Sequence, residues 1–431
     1  MSTTLPSISK RPWRRSEKIL FRFFFLYFVL YIFPFPIDFL PWLGDYASEW
    51  NGNFWQYIVA KVGSGILNIS SPISSAPTGS GDMTYNYVEM FTKFSLSLIG
   101  CIIWTALDYR RREYRRLFTL LHIGLRYYLA FILLVYGISK LFTNQFSSLS
   151  LFDLIKTYGD SSPMGLMWNF MEFSDAYTFF SGFGEALAGL LLLFRKSTKL
   201  GSLVAIAVMT NVVMMNFSYD IPVKLYSSHL LLMAIWILLP YSGNLVRFFI
   251  LNRPTEADRH SPYFSKRKFK IIGHVLKGIL ILYVIGSFVN RSAKGYNTYG
   301  KGAAKPELYG IYNVTEFIKN YDTVPPSLTE TERWRTFVVN SSRAYGYKTM
   351  EDKITYLSPE IDTTAHRLLL TSWQDSTETY RFKYHYKDSI LTLKGSSQKD
   401  SLFIQLRQID HTKFLILNRG FNWINEVPYN R

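Results

Sequence analysis

Seven apolar runs, followed by a change of period, organise the chain. The runs fall at about 19–35, 87–107, 117–142, 177–194, 200–217, 225–249 and 271–289. Each is near the ~20 residues that cross ~30 Å of hydrocarbon, the fourth and fifth being at the short end. After residue 289 no long apolar run occurs. The segments RWRTFVVN, HRLLLTSW, TYRFKYHY, SILTLKG, SLFIQLRQ and KFLILNRG alternate apolar and polar positions instead. Alternation at ~8–12-residue spacing, broken by KD, GSSQKD and DHT turns, predicts antiparallel strands. About eight of them suggest an up-and-down barrel or a sandwich. The expected buried face holds Val338, Leu368, Leu370, Phe382, Leu391, Leu393, Phe403, Ile404 and Leu415. The fold class is therefore an α-helical polytopic membrane protein with a C-terminal all-β domain.

The polar stretches between the runs set the orientation. With the N-terminus inside, the inner segments carry five Lys and Arg in 1–18, five in 108–116, three in 195–199 and seven in 247–270. The outer segments 36–86, 143–176 and 218–224 carry one each: Lys61, Lys156 and Lys224. Basic residues collect on the cytoplasmic side of membrane proteins, so this bias places the N-terminus inside and residues 290–431 outside. It also explains the net charge of +17, from 48 Lys and Arg against 31 Asp and Glu. The blocks DYRRREYRR and SKRKFK are read as topology determinants, which removes nucleic acid as a partner. The first run follows Lys10, Arg11, Arg14, Arg15 and Lys18, as a signal peptide would, but it is bulky and contains Arg22. It ends in PFPIDFLP with no small-x-small site, so it is read as an uncleaved span. Residues 45–86 are rich in Ser, Gly, Pro and Asn and read as a long outer loop. The segment 143–176 contains YGDSSPMGLMWNFM, read as a short interfacial helix. This divides the chain into 1–116 (two spans and the long loop), 117–250 (a four-span core), 251–289 (a basic loop and last span) and 290–431 (the β domain).

Charge inside a span is costly and therefore informative. In the third run, at ~100° per residue, Arg126 and Gly137 lie about 20° apart, with His122, Ala130 and Lys140 on the same side. In the fourth, Gly182, Glu185 and Gly189 share a face. Faces that mix small and charged residues point at other helices rather than at lipid. Counted from the inner boundary at ~1.5 Å per residue, Arg126 and Glu185 lie ~15 Å deep and Asn211 ~16 Å deep. This predicts a buried polar layer in which Arg126 pairs with Glu185 and Asn211 fills a spare lone pair. A second layer near the outside holds Lys93, Tyr136, Lys140 and His229, with Asp220 and Lys224 at its margin. The inner layer either fixes helix register or orients a ligand, and the residues leave both readings open.

Motifs of catalysis are missing from the sequence. It has no G-x-S-x-G, P-loop or H-E-x-x-H, and His366, His385 and His411 stand at no metal-ligand spacing. One cysteine, Cys101, excludes an internal disulfide and any cysteine-rich metal site. The sites are therefore read as binding sites, with no catalytic residue and no metal.

Residues 122 to 240 carry GLRYYLAFILLVYGISKLF, in which an Arg precedes a Gly-x-x-Lys, then GFGEALAGLLLLF, then the small-residue span TKLGSLVAIAVMTNVV and a span with His229. Over this stretch, a little over a quarter of its length, the chain resembles the DoxX-like family of bacterial membrane proteins. Its layout is similar to the long Bacteroidetes-type members with a C-terminal extracytoplasmic β domain. The resemblance implies a central four-helix bundle with Arg126, Lys140 and Glu185 at the family's polar positions. Some members are similar to subunits of thiosulfate:quinone oxidoreductase, and others are linked to redox stress complexes, which makes a quinone the candidate cofactor. The chain departs from the family in three extra spans, long outer loops and the β domain. The reading is an inner-membrane protein of the cell envelope, N-terminus cytoplasmic and β domain periplasmic, that binds a lipid, a quinone or an envelope protein complex. The alternatives are a quinone-linked redox subunit and a scaffold without a small-molecule site.

Overall fold

The computed structural model of the chain describes residues 12–70, 72–255, 267–398 and 400–430. Lys10, Arg11, Arg259 and Lys266, counted above among the basic residues, lie outside them. In chain order the helices are α1 (Arg15–Ile32), α2 (Leu43–Gly65), α3 (Thr84–Leu107), α4 (Arg115–Leu141), α5 (Leu151–Ile155) and α6 (Pro163–Phe173). They continue with α7 (Asp175–Leu193), α8 (Thr198–Ser218), α9 (Lys224–Leu238), α10 (Ser242–Leu245), α11 (Arg267–Thr298) and α12 (Leu415–Asn418). The strands are β1 (Gly310–Lys319), β2 (Asp322–Thr323), β3 (Trp334–Ser341), β4 (Ala344–Thr349), β5 (Ile354–Asp362), β6 (Arg367–Ser372), β7 (Thr379–Lys387), β8 (Ile390–Ser397) and β9 (Asp400–Ile409). Two compact units result. One holds the described residues of Met1–Phe146 and Ser174–Tyr296, the other those of Ser147–Phe173 and Asn297–Arg431.

The first unit is helical, and among the described residues seven of its helical segments are long and apolar enough to cross a membrane. Each coincides with an apolar run of the sequence. At its centre α4, α7, α8 and α9 close a four-helix bundle, with α1 against α4 and α3 against α1. The run at 225–249 is not one helix. Pro240, which has no N–H to donate, sits in a 3-10 turn (Leu239–Tyr241) that ends α9. Arg22, buried inside α1, is satisfied by the Tyr114 hydroxyl at 2.7 Å, Thr105 Oγ1 at 2.9 Å and the Asp108 carbonyl at 2.8 Å. The segment 45–86 is only partly a loop, because α2 occupies its first half. The Ser, Gly and Pro lie mainly in 63–82, whereas the buried Trp55 and Val59 before them recur at helical spacing, and Val59 packs on Tyr85 and Val88 of α3.

The second unit is an antiparallel barrel. β1 and β3 to β9 pair in order, and β1 closes on β9 through Ile311↔Ile409 to Lys319↔Leu402. The two-residue β2 pairs with the end of β1. Leu368, Leu370, Phe382, Leu391, Leu393 and Ile404 fill the interior. Trp334 stacks on Tyr347 among them, ring centres 4.3 Å apart. Two residues of the expected buried face lie elsewhere. Phe403 is only half-buried, because Ile404 beside it takes the interior and successive strand residues alternate sides. Leu415 is exposed, because KFLILNRG is not a strand. The Asp410 side chain accepts from Thr412 N at 3.1 Å, which starts a 3-10 turn that leads into α12.

Strands β1, β4 and β5 were not among the alternating segments of the sequence. In β5 the reason is Pro359, which pairs with Leu370 of β6 beyond the last β4 partner, Leu357. Its missing N–H therefore leaves no bond with β4 unmade. Val338 is buried as expected, but on the outer wall, where Leu151 and Phe152 of α5 cover it together with Ile311. The segment 147–173 thus folds with the barrel. Leu151 N donates to Asn340 Oδ1 at 2.9 Å, and Lys348 Nζ donates to the Ile155 carbonyl at 2.8 Å.

Two carboxyls of this segment give it a pH dependence. Burial pushes Glu172 from its ordinary 4.5 up to about 7, with the charge of Asp153 adding to the shift and Lys301 opposing it. Asp153 is raised too, by burial, with Lys156 opposing. The folded segment holds the Glu172 proton to higher pH than the unfolded chain does. Stability of the segment should therefore fall as pH rises from 4.5 through about 7, and level off above. Hydrogen exchange of 151–173, corrected for intrinsic rates, should show this loss, and Glu172→Gln should flatten it.

Candidate functional site

The site is built where α4 meets α7. A Cβ on Gly137 would stand 2.6 Å from Ala186 N, one on Gly182 2.6 Å from Lys140 Cβ, and one on Gly189 2.8 Å from the Ala130 carbonyl. The small-residue faces expected on both helices therefore meet, and the helices run antiparallel.

The expected Arg126–Glu185 pair does not form. Lys140 donates to Glu185 Oε1, both side chains being buried. Arg126 Nη1 donates to Thr198 Oγ1 at 3.1 Å, at the start of α8. The cause is the direction of side chains. They lean toward the N-terminus of their own helix, so on antiparallel helices they lean in opposite directions. Arg126 leans toward the end marked by 108–116 and 195–199, and Glu185 leans away from it, toward Lys140. Equal Cα depth was therefore not equal side-chain depth. Asn211 is exposed on α8 and joins neither group. His122 of the same α4 stripe meets the Ile237 carbonyl at 3.0 Å. Two buried atoms of this region, Arg126 Nε and Glu185 Oε2, have no hydrogen-bond partner among the described residues.

The second group of expected residues comes together more fully. His229 Nε2 shares a 2.5 Å hydrogen bond with the Tyr27 hydroxyl, and its Nδ1 meets the Leu225 carbonyl at 2.6 Å. The Tyr31 ring stacks on His229 with centres 4.3 Å apart and planes 9° from parallel. Lys93 pairs with Glu89 at 2.7 Å and lies 4.7 Å from the Trp55 ring centre and 5.6 Å from that of Tyr31. Tyr136, partly exposed one turn before Lys140, has its ring centre 6.4 Å from that of Tyr226, and Tyr226 adjoins Tyr128. A run of polar rings thus links Lys140–Glu185 to His229 and Lys93.

Asp220 and Lys224 stand apart as an end cap. Lys224 Nζ pairs with the exposed Asp220 at 2.7 Å. Asp82 accepts from Lys224 N at 2.8 Å and Leu225 N at 3.0 Å, which satisfies the first amides of α9.

Over 113 residues, 26% of its length, the chain is 33% identical to a Bacillus subtilis (strain 168) protein described as uncharacterized protein YwoB, of which it covers 71%. The chain belongs to the YwoB family. No family model matches it, and no solved structure does. The stretch shared with YwoB is too short to contain both the seven long helices and the barrel.

Several members of the polar cluster escaped the sequence reading. Tyr27 with Tyr31, and Glu89 with Lys93, carried a usable signal, each pair being four residues apart on one helix face. Trp55 was missed because its helix was read as loop. Asp82 lies in a Ser-Gly turn, and its contact with α9 spans 142 residues of sequence.

Proposed function

We propose that this chain is a multi-pass inner-membrane protein of a bacterial cell envelope, DoxX-like in its bundle, that binds an amphiphilic ligand by its polar head. The observation that carries the reading is His229, held between Tyr27 and Tyr31 with Lys93 beside them. Burying a histidine, a lysine and several phenols in apolar surroundings is costly, and recognition of a polar group is a reason to bear that cost. The arrangement suits a quinone best. A quinone carbonyl accepts hydrogen bonds from a phenol or an ammonium, and its ring packs on Tyr31 or Trp55. A lipid ester head offers the same acceptors. In a quinone-linked complex the chain would hold the quinone while a partner supplies the electrons. The bias of basic residues supports a cytoplasmic N-terminus and a periplasmic barrel. An alkaline phosphatase fused after Arg431 should then be active, and one fused after Arg116 inactive.

The ligand itself is tested by extraction. Protein purified in mild detergent should carry close to one quinone or lipid of defined class per chain, identified by mass spectrometry. Tyr31→Leu should lower that occupancy about tenfold while melting stays near wild type, and His229→Ala should lower it as much with some loss of stability, because Tyr27 loses its partner. Bulk lipid only, together with stoichiometric co-purifying subunits, would replace this reading with the scaffold.

A further inference from the structure

Outside the bundle, the barrel unit carries a cavity of about 500 Å³ on its outer wall, between α5 and strands β1, β3 and β4. This volume lies within the ~300–1,000 Å³ of small-molecule sites. Its lining includes the apolar Leu154, Ile155, Val314, Ile409 and Phe414. It also includes three cations, Arg333, Arg335 and Lys348.

Arg333 decides what the cavity suits. It is 4% exposed, yet among the described residues no carboxylate pairs with it. Its Nε donates to the Val324 carbonyl at 3.0 Å, and its Nη1 donates to the Trp334 carbonyl at 3.1 Å and Met350 Sδ at 3.5 Å. Its Nη2 donates to none of the described residues. Arg335 and Lys348 share one acid, Asp352, at 2.8 and 2.7 Å. Three cations with one carboxylate leave the cavity wall net positive. A buried guanidinium without an anion is an expensive arrangement in a protein interior, and one that a bound anion relieves.

We propose that this cavity binds an acyl chain with an anionic headgroup, the headgroup on Arg333 and the chain along α5 and Phe414. A free inorganic anion leaves the apolar wall unexplained, and a neutral apolar molecule leaves Arg333 unexplained. The headgroup is a carboxylate or a phosphate, both of which a guanidinium holds through paired N–H donors. The site lies wholly within the barrel unit and does not rest on the reading of His229.

The test uses the full chain in phosphatidylcholine nanodiscs, with empty discs as the background. Labelled dodecanoate, dodecyl phosphate, dodecanol and inorganic phosphate are titrated in turn. One saturable site is expected for dodecanoate or dodecyl phosphate, and the tighter of the two identifies the headgroup. Dodecanol and inorganic phosphate should each bind about tenfold more weakly or worse. Leu154→Trp, which fills the cavity from α5, should abolish the site. Arg333→Gln should weaken it about tenfold, and if that protein misfolds, Arg335→Glu at the exposed rim should do the same. His229→Ala should leave binding unchanged. Equal binding of dodecanol and the two acids, equal binding of inorganic phosphate, or binding that survives Leu154→Trp would overturn the proposal.

Discussion

Glu185→Gln should destabilise the helical unit by ~3–5 kcal/mol, because it leaves the buried Lys140 ammonium without its partner. Lys140→Met should cost a similar amount by leaving the carboxylate unpaired. Carrying both changes should cost much less than their sum, since neither charge then remains. Unfolding in detergent, followed for the wild type, both single variants and the double, measures this coupling. The same cycle built on Arg126→Met and Glu185→Gln should be additive to ~0.3–0.5 kcal/mol, because Arg126 turns to Thr198 instead. A large coupling between Arg126 and Glu185, with none between Lys140 and Glu185, would overturn the pairing. The cycle also separates structure from function. A double variant that folds well but fails in the cell would assign the pair to ligand handling, and a fully active one would assign it to helix register.

Phe152→Ala should weaken the barrel unit as much as a change in its own core. Phe152 is 5% exposed and lies against Gly346, where a Cβ would stand 2.8 Å from its ring. Its ring centre is 4.9 Å from that of Tyr356. Truncating a buried Phe costs ~3–5 kcal/mol. The loss should appear as faster hydrogen exchange in β3 and β4, the strands beneath α5, with β7 and β8 changed much less. A fragment of 297–430 alone should show the same weakness more severely, since it lacks the cover over Ile311 and Val338. Unchanged exchange in β3 would mean that α5 is only a passenger on the barrel.

The two parts of the chain were legible to different degrees. Strands β6 to β9 were readable because their inward residues recur at every second position, as in Leu368 and Leu370 or Leu391 and Leu393. β4 was not, because only Tyr345 and Tyr347 mark its inner face, and Gly346 between them leaves the outer face bare so that Phe152 can approach. Of the polar residues expected near the outside, Lys93 and His229 both lie against Tyr31. Tyr27 and Tyr31 share a helix face by their four-residue spacing, but among the aromatic residues of an ordinary span that spacing gains its meaning only from the position of His229.

Sequence alone determined the number of spans, because a run of about twenty apolar residues has few alternatives to a membrane helix. It also determined that charged residues such as Arg126, Lys140 and Glu185 must face protein, since lipid offers no partner, and that the last third is β, since period-two burial suits only a strand. Tertiary structure decided who pairs with whom. Glu185 chose Lys140 over Arg126 because antiparallel helices lean their side chains in opposite directions, a property of the assembled pair that neither helix carries alone. It also decided that 147–173 belongs to the barrel, because the apolar wall of Ile311 and Val338 that this segment covers exists only once β1 and β3 have paired.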